Sequence, residues 1–276
     1  MNAKFLILFL VASGHVLALD YPHVTAEPQK SGWPLTAEER SYVLQAEYQR
    51  RPGQESGKHL PALWPVVPSA GFWSGSSWLD MHASLVKEVE ARQGAVDVLL
   101  VGDSITMQWG ASWGQNFPEH KAVNIGIGGD KTQNVLWRLD HGGVAGLQPK
   151  AIVLMIGNNN MFFTPETGIE AVAKGIEMCA RNLREKFPDA LLIVTEILPA
   201  HAPGNPFYED IKKINSALQA LRLDSVPNIR VLKLWSHFTN PNGTLKTELF
   251  TADNIHLAPA GYAVYAANLR PCLETQ

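Results

Sequence analysis

The chain has 276 residues, 46% of them hydrophobic and 18% charged, as in an ordinary globular protein. A net charge of -3 with no broad basic field excludes a nucleic-acid partner and an anionic-membrane partner from the expected functions. With only Cys179 and Cys272, this is no disulfide scaffold, and a core of this size needs none.

The first residues read as an export signal. Lys4 supplies the positive charge, Phe5 to Ala12 the apolar run, and Val16-Leu17-Ala18 a cleavage site with small residues at the right offsets. Ser13, Gly14 and His15 interrupt the run, so it is too short to span a bilayer. The expected product is secreted or periplasmic, with residues 1–18 removed and no stable membrane insertion afterwards.

Residues 19–76 form an extension rich in Pro, Gly and Trp. Thr36 and Glu39 make a capping-box pattern for a helix to about Arg50, stopped by Pro52-Gly53. Trp33, Trp64, Trp73 and Trp78 are expected to anchor this segment onto its neighbour, since aromatics bury large areas wherever they pack. A carbohydrate platform is the alternative.

From residue 77 the pattern turns regular. Five apolar runs, Val96-Val101, Ala122-Ile125, Ala151-Ile156, Leu191-Ile197 and Ile229-Leu234, alternate with helical stretches near 78–92, 131–140, 165–186, 207–222 and 259–270. Thr164 and Pro165 read as the cap and first position of the third helix. Its stripe Ile169, Val172, Ile176, Cys179, Leu183 makes Cys179 a buried hydrophobe, although a bridge to Cys272 stays open. Continuous apolar strands separated by helices imply one α/β domain over 77–276, with a parallel sheet covered on both faces.

Ligand sites in such sheets lie outside the carboxyl ends of the strands. Three polar, glycine-rich segments fall there: Gly102-Asp103-Ser104, Gly126 to Asp130, and Gly157 to Asn160. Ser104 follows a strand and opens a helix, a position suited to a nucleophile but also to an ordinary N-cap. The second segment lacks phosphate-loop spacing, and its glycines instead let a backbone N–H approach a reacting carbonyl oxygen. An asparagine side chain from the third can donate to an oxyanion. Asp253 and His256, three residues apart, can supply from one loop the base that serine needs and the carboxylate that orients it. His23, His59, His82, His120, His141, His201 and His237 have no ligand spacing, so neither metal nor other cofactor is expected.

In order and spacing these segments resemble the SGNH, or GDSL-type, hydrolases. Gly102-Asp103-Ser104-Ile105, Gly129, Gly157-Asn158-Asn159-Asn160 and Asp253-x-x-His256 match four of the family's blocks over about 97–260. Asn124 to Leu139 and the doubled asparagine are similar to the type Ib platelet-activating-factor acetylhydrolase branch. Ile105 replaces the family's leucine, Asn160 stands where many members have aspartate, and the first 76 residues lie outside the resemblance.

The resemblance implies a three-layer α/β/α, flavodoxin-like fold with a five-stranded parallel sheet. It implies Ser104 as nucleophile, His256 as base and Asp253 as its carboxylate. The oxyanion hole would comprise the backbone N–H groups of Ser104 and Gly129 and the Asn159 side chain. The expected activity is hydrolysis of short acyl esters, acetyl foremost, on a small molecule or glycan. A lipid or lysophospholipid esterase and a non-catalytic glycan-binding module are the alternatives.

Overall fold

The computed structural model describes residues 7–10, 16–19, 75–92, 94–163 and 168–274. The expected helix from Thr36, the tryptophans Trp33, Trp64 and Trp73, and the Thr164-Pro165 start lie outside these residues. Ile7–Leu10 pairs antiparallel with Val16–Leu19 as a two-stranded ribbon.

The main sheet has five parallel strands: β1 (Gly94–Gly102), β2 (Ala122–Asn124), β3 (Leu147–Met155), β4 (Leu191–Thr195) and β5 (Ile229–Leu232). Their order is β2-β1-β3-β4-β5, the flavodoxin-like arrangement, with the switch point between β1 and β3. The helices are α1 (Gly75–Ala91), α2 (Ser104–Asn116), α3 (Thr132–Asp140), α4 (Asn158–Phe163), α5 (Ile169–Lys186), α6 (Pro206–Ala220), α7 (Trp235–Phe238) and α8 (Pro259–Glu274).

Strand alternation sends successive residues to opposite faces, and both faces are apolar. Leu99, Val101, Ile152, Leu154, Leu192 and Val194 join one buried cluster with Val89 of α1, Leu136 of α3, Ile176 of α5 and Ile214 of α6. Val98, Leu100, Val153, Met155 and Ile193 join another with Trp109 of α2, Phe238 of α7 and Leu269 of α8. This double burial is why the strands read as continuous apolar runs. Cys179 packs in the first cluster and Cys272 against the second, and both are free thiols. Burial pushes the Cys179 thiol well above its ordinary range, so it behaves as the small hydrophobe its stripe predicted.

Local chemistry sets the helix starts. Asn205 caps α6 by accepting from Phe207 N, with Pro206 at the first position, where its missing N–H costs nothing. Asp103 caps α2, its Oδ1 accepting from Ile105 N at 3.0 Å. Across from it, the Tyr262 hydroxyl of α8 donates to the Ile105 carbonyl at 2.8 Å and ties the two helices together.

Candidate active site

Four chain segments meet at the carboxyl rim of the sheet. The end of β1 delivers Asp103 and Ser104, and the end of β2 delivers the turn from Asn124 to Asp130. The end of β3 leads into Asn158, Asn159 and Asn160 at the start of α4. The loop before α8 carries Asp253 and His256.

The turn after β2 packs so closely on α2 that a Cβ on Gly126 would lie 2.4 Å from Met107 N. Gly129 takes φ +82°, where a side chain is strained. The Asn124 side chain secures the turn by donating to the Thr106 carbonyl at 2.6 Å and accepting from Gly126 N at 2.9 Å.

Ser104 is half-buried at the N-terminus of α2. Its Oγ lies 2.8 Å from His256 Nε2, and His256 Nδ1 lies 2.6 Å from Asp253 Oδ2. An ionised carboxylate only accepts, so Nδ1 carries the ring proton and Nε2 is left to accept from the serine hydroxyl. The other oxygen of Asp253 accepts from the Thr251 hydroxyl (2.7 Å), Ile255 N (2.9 Å) and His256 N (3.0 Å). Partial burial opposes ionisation of Asp253. The hydrogen bonds from His256, Thr251 and the two amides outweigh it and hold the carboxyl well below the usual range. Asn254 crosses the tip of this loop at φ +56°, and its carbonyl accepts from His201 N at 3.2 Å.

Asn159 Nδ2 donates to the main-chain oxygen of Asp130 at 2.9 Å and lies 3.4 Å from Asp103 Oδ2. Asn160 is fully buried and turned to other work. Its Oδ1 accepts from Thr132 N at 3.1 Å, and its Nδ2 donates to Thr132 Oγ1 and Gln133 Oε1. It therefore fastens the end of β3 to α3.

Beneath lies a buried polar layer whose pairing the sequence does not announce. Asp103 and Asp130 are both buried, with Asp130 ion-paired to Arg138 at 2.6 Å. Burial pushes the Asp103 carboxyl up to about 7 and that of Asp130 up to about 6, the latter against the pull of Arg138 and Trp78. Partners separated by eight and 52 positions leave no local pattern to read. The N-cap preference of Asp103 was the one available signal.

Such an arrangement can do nucleophilic chemistry. The imidazole can take the serine proton as the oxygen attacks, and the carboxylate stabilises the resulting cation. Among the described residues no group of three or more His, Cys, Asp or Glu is placed to hold a metal ion, and no helix is long and apolar enough to cross a membrane.

The profile of the GDSL-like Lipase/Acylhydrolase family matches residues 100–264, more than half of the chain and all four site segments. The chain belongs to that family. This makes the protein an ester hydrolase acting on small-molecule substrates. The acylhydrolase is 35% identical over 189 residues to platelet-activating factor acetylhydrolase IB subunit alpha2 of Gallus gallus, covering 67% of this chain and 79% of that one. It is 31% identical over 210 residues to subunit alpha1 of Pongo abelii, covering 75% and 87%. Among solved structures it resembles a GDSL-like lipase from Bacteroides thetaiotaomicron (TM-score 0.56, 19% identity, 72% of this chain and 97% of that one). It also resembles the lipase/acylhydrolase from Enterococcus faecalis (TM-score 0.51, 20% identity, 66% and 96%). At those identities the likeness is one of fold.

Proposed function

We propose that this acylhydrolase cleaves short acyl esters, acetyl foremost, from a carbohydrate alcohol by way of an acyl-serine intermediate. The observation that carries the reading is the unbroken chain from Ser104 Oγ to His256 Nε2 (2.8 Å) and from His256 Nδ1 to Asp253 (2.6 Å).

Ser104 Oγ attacks the acyl carbonyl and gives its proton to His256 Nε2, while Asp253 stabilises the imidazolium. The carbonyl oxygen becomes an oxyanion that accepts from the backbone N–H groups of Ser104 and Gly129 and from Asn159 Nδ2. Asn159 carries two N–H bonds, and the long 3.4 Å contact to Asp103 is the one that an incoming oxygen displaces. The α2 dipole favours the same charge. Collapse expels the alcohol, protonated by His256. Water then attacks the acyl-serine, again with His256 as base, and releases the carboxylic acid.

The acetyl preference draws on relatives whose names specify an acetylhydrolase. The carbohydrate alcohol draws on the export pattern of residues 1–18, which directs the enzyme to secreted or periplasmic substrates. On this reading residues 19–76 are an extension and 77–276 the catalytic domain. Those same relatives favour a second alcohol, that of a phospholipid.

Diisopropylfluorophosphonate should label the wild-type enzyme once, at Ser104, and leave Ser104→Ala unlabelled. Ser104→Ala should lose on the order of 10^4-fold or more in turnover of p-nitrophenyl acetate, with its melting temperature retained. Near-wild-type turnover by the alanine variant would remove Ser104 as nucleophile. O-acetylated sugars assayed against an acetylated phospholipid decide the alcohol.

A further inference from the structure

Trp78 lies on α1, outside the span that matches the family profile, yet it is wired into the site. Its Nε1–H donates to Asp130 Oδ1 at 2.8 Å, and both residues are fully buried. Arg138 holds the other oxygen of the same carboxylate through Nε (2.8 Å) and Nη2 (2.6 Å). Arg138 also donates to the Ile125 carbonyl at 2.7 Å, just past the end of β2. The carboxylate is thus pinned from two sides. The main-chain oxygen of the same residue is the acceptor that holds Asn159 Nδ2 at 2.9 Å, and the preceding residue is Gly129.

We infer that Trp78 is a positioning residue, which fixes Asp130 and through it the Gly129–Asn159 pair that receives the acyl oxygen. The inference rests on the oxyanion roles proposed above. Donors to a developing charge act through preorganisation, so loosening their support lowers the rate while leaving ground-state binding in place. The seat of Trp78 suits that work. Its ring stacks on His82 (6.0 Å, 17°) and tilts against Trp137 (5.4 Å), which fixes the direction of the N–H bond. His82 in turn sits 2.8 Å from the His141 carbonyl just past α3, so α1 docks as a unit beside the turn that it supports.

A crossed pair of variants separates positioning from packing. Trp78→Phe keeps an aromatic ring and removes the donor. Trp78→Gln removes the ring but keeps an N–H four bonds from Cα, as in the indole. Positioning predicts that Trp78→Phe loses about tenfold or more in kcat on p-nitrophenyl acetate with little change in KM. Trp78→Gln should retain more kcat despite a lower melting temperature. A packing role predicts the reverse order of kcat. Should either variant fail to fold, 3-benzothienylalanine at position 78 keeps the ring and replaces only the N–H by sulfur, and it should show the same loss of kcat. Both variants and the benzothienyl protein should still be labelled at Ser104 by diisopropylfluorophosphonate, whereas failure of the nucleophile assignment would appear in Ser104→Ala alone. A kcat within twofold of wild type for Trp78→Phe, or for the benzothienyl protein, overturns the inference.

Discussion

The Thr251 hydroxyl donates to Oδ1 of Asp253 at 2.7 Å, on the opposite oxygen from the one that faces His256. It is one of the donors that keep this carboxyl ionised well below the ordinary range. Thr251→Val preserves shape and removes the donor. The carboxylate then loses a bond that fixes its place against His256, so kcat should fall roughly threefold to tenfold at neutral pH with the fold intact. Turnover and melting temperature measure both, and a wild-type kcat in the variant would separate Thr251 from the function of Asp253.

Adjacent asparagines should fail differently. Asn159→Ala should lower kcat about 100- to 1000-fold with the fold intact, because it removes a donor proposed to meet the developing charge. Asn160→Ala should instead lower stability by about 1–3 kcal/mol, because it strips a buried residue of its bonds to Thr132 and Gln133. Turnover and denaturant midpoints on both proteins test the contrast. Equal kcat losses at equal stability would contradict it.

Asp103 gives the protein a pH-dependent stability of definite sign. Burial raises its carboxyl to about 7 in the fold, against about 3.9 for an unfolded chain. Between those values the folded form holds a proton that the unfolded form has shed. Its contribution to stability is therefore full below about pH 4 and falls as pH rises toward 7. Asp103→Asn keeps the N-cap acceptor and cannot ionise, so its unfolding midpoint should fall less steeply from about pH 4.5 to 7.5. Asp130, raised to about 6, adds a slope of the same sign that the variant retains. A steeper decline in the variant would count against this account.

Acyl length is the sharpest test of substrate class. Each methylene that does not fit an acyl pocket costs about 1–3 kcal/mol in discrimination. Acetate esters should therefore exceed octanoate esters in kcat/KM by on the order of 100-fold or more. A series of p-nitrophenyl esters from acetate to palmitate measures this, and a maximum at eight carbons or longer would favour a lipase.

What could be read in the sequence followed from burial. Val96-Val101 is apolar at every position but Asp97 because Leu99 and Val101 face one core and Val98 and Leu100 the other. The start of β3 escaped notice because Leu147 to Lys150 alternates buried and exposed residues and includes Pro149, paired in register with Val96. Helices α4 and α7, six and four residues long, are too short to express a helical period. Ser104, Asp253 and His256 could be singled out because four short segments, each weak alone, stand in the order and spacing of one family. The Asp130–Arg138 pair could not, since buried charge looks in a sequence like surface charge, and Trp78 was legible as an aromatic anchor but not as a donor to Asp130.

Ser104 and His256 are 152 positions apart, and the imidazole arrives on the loop that leads into α8. The serine, the glycine turn and the asparagines all lie before residue 161, so synthesis completes them well before His256 is added. The Tyr262 hydroxyl on the Ile105 carbonyl ties the helix behind that imidazole to the helix that carries the serine. Under the proposed roles, a polypeptide not yet extended to His256 has a serine without its base.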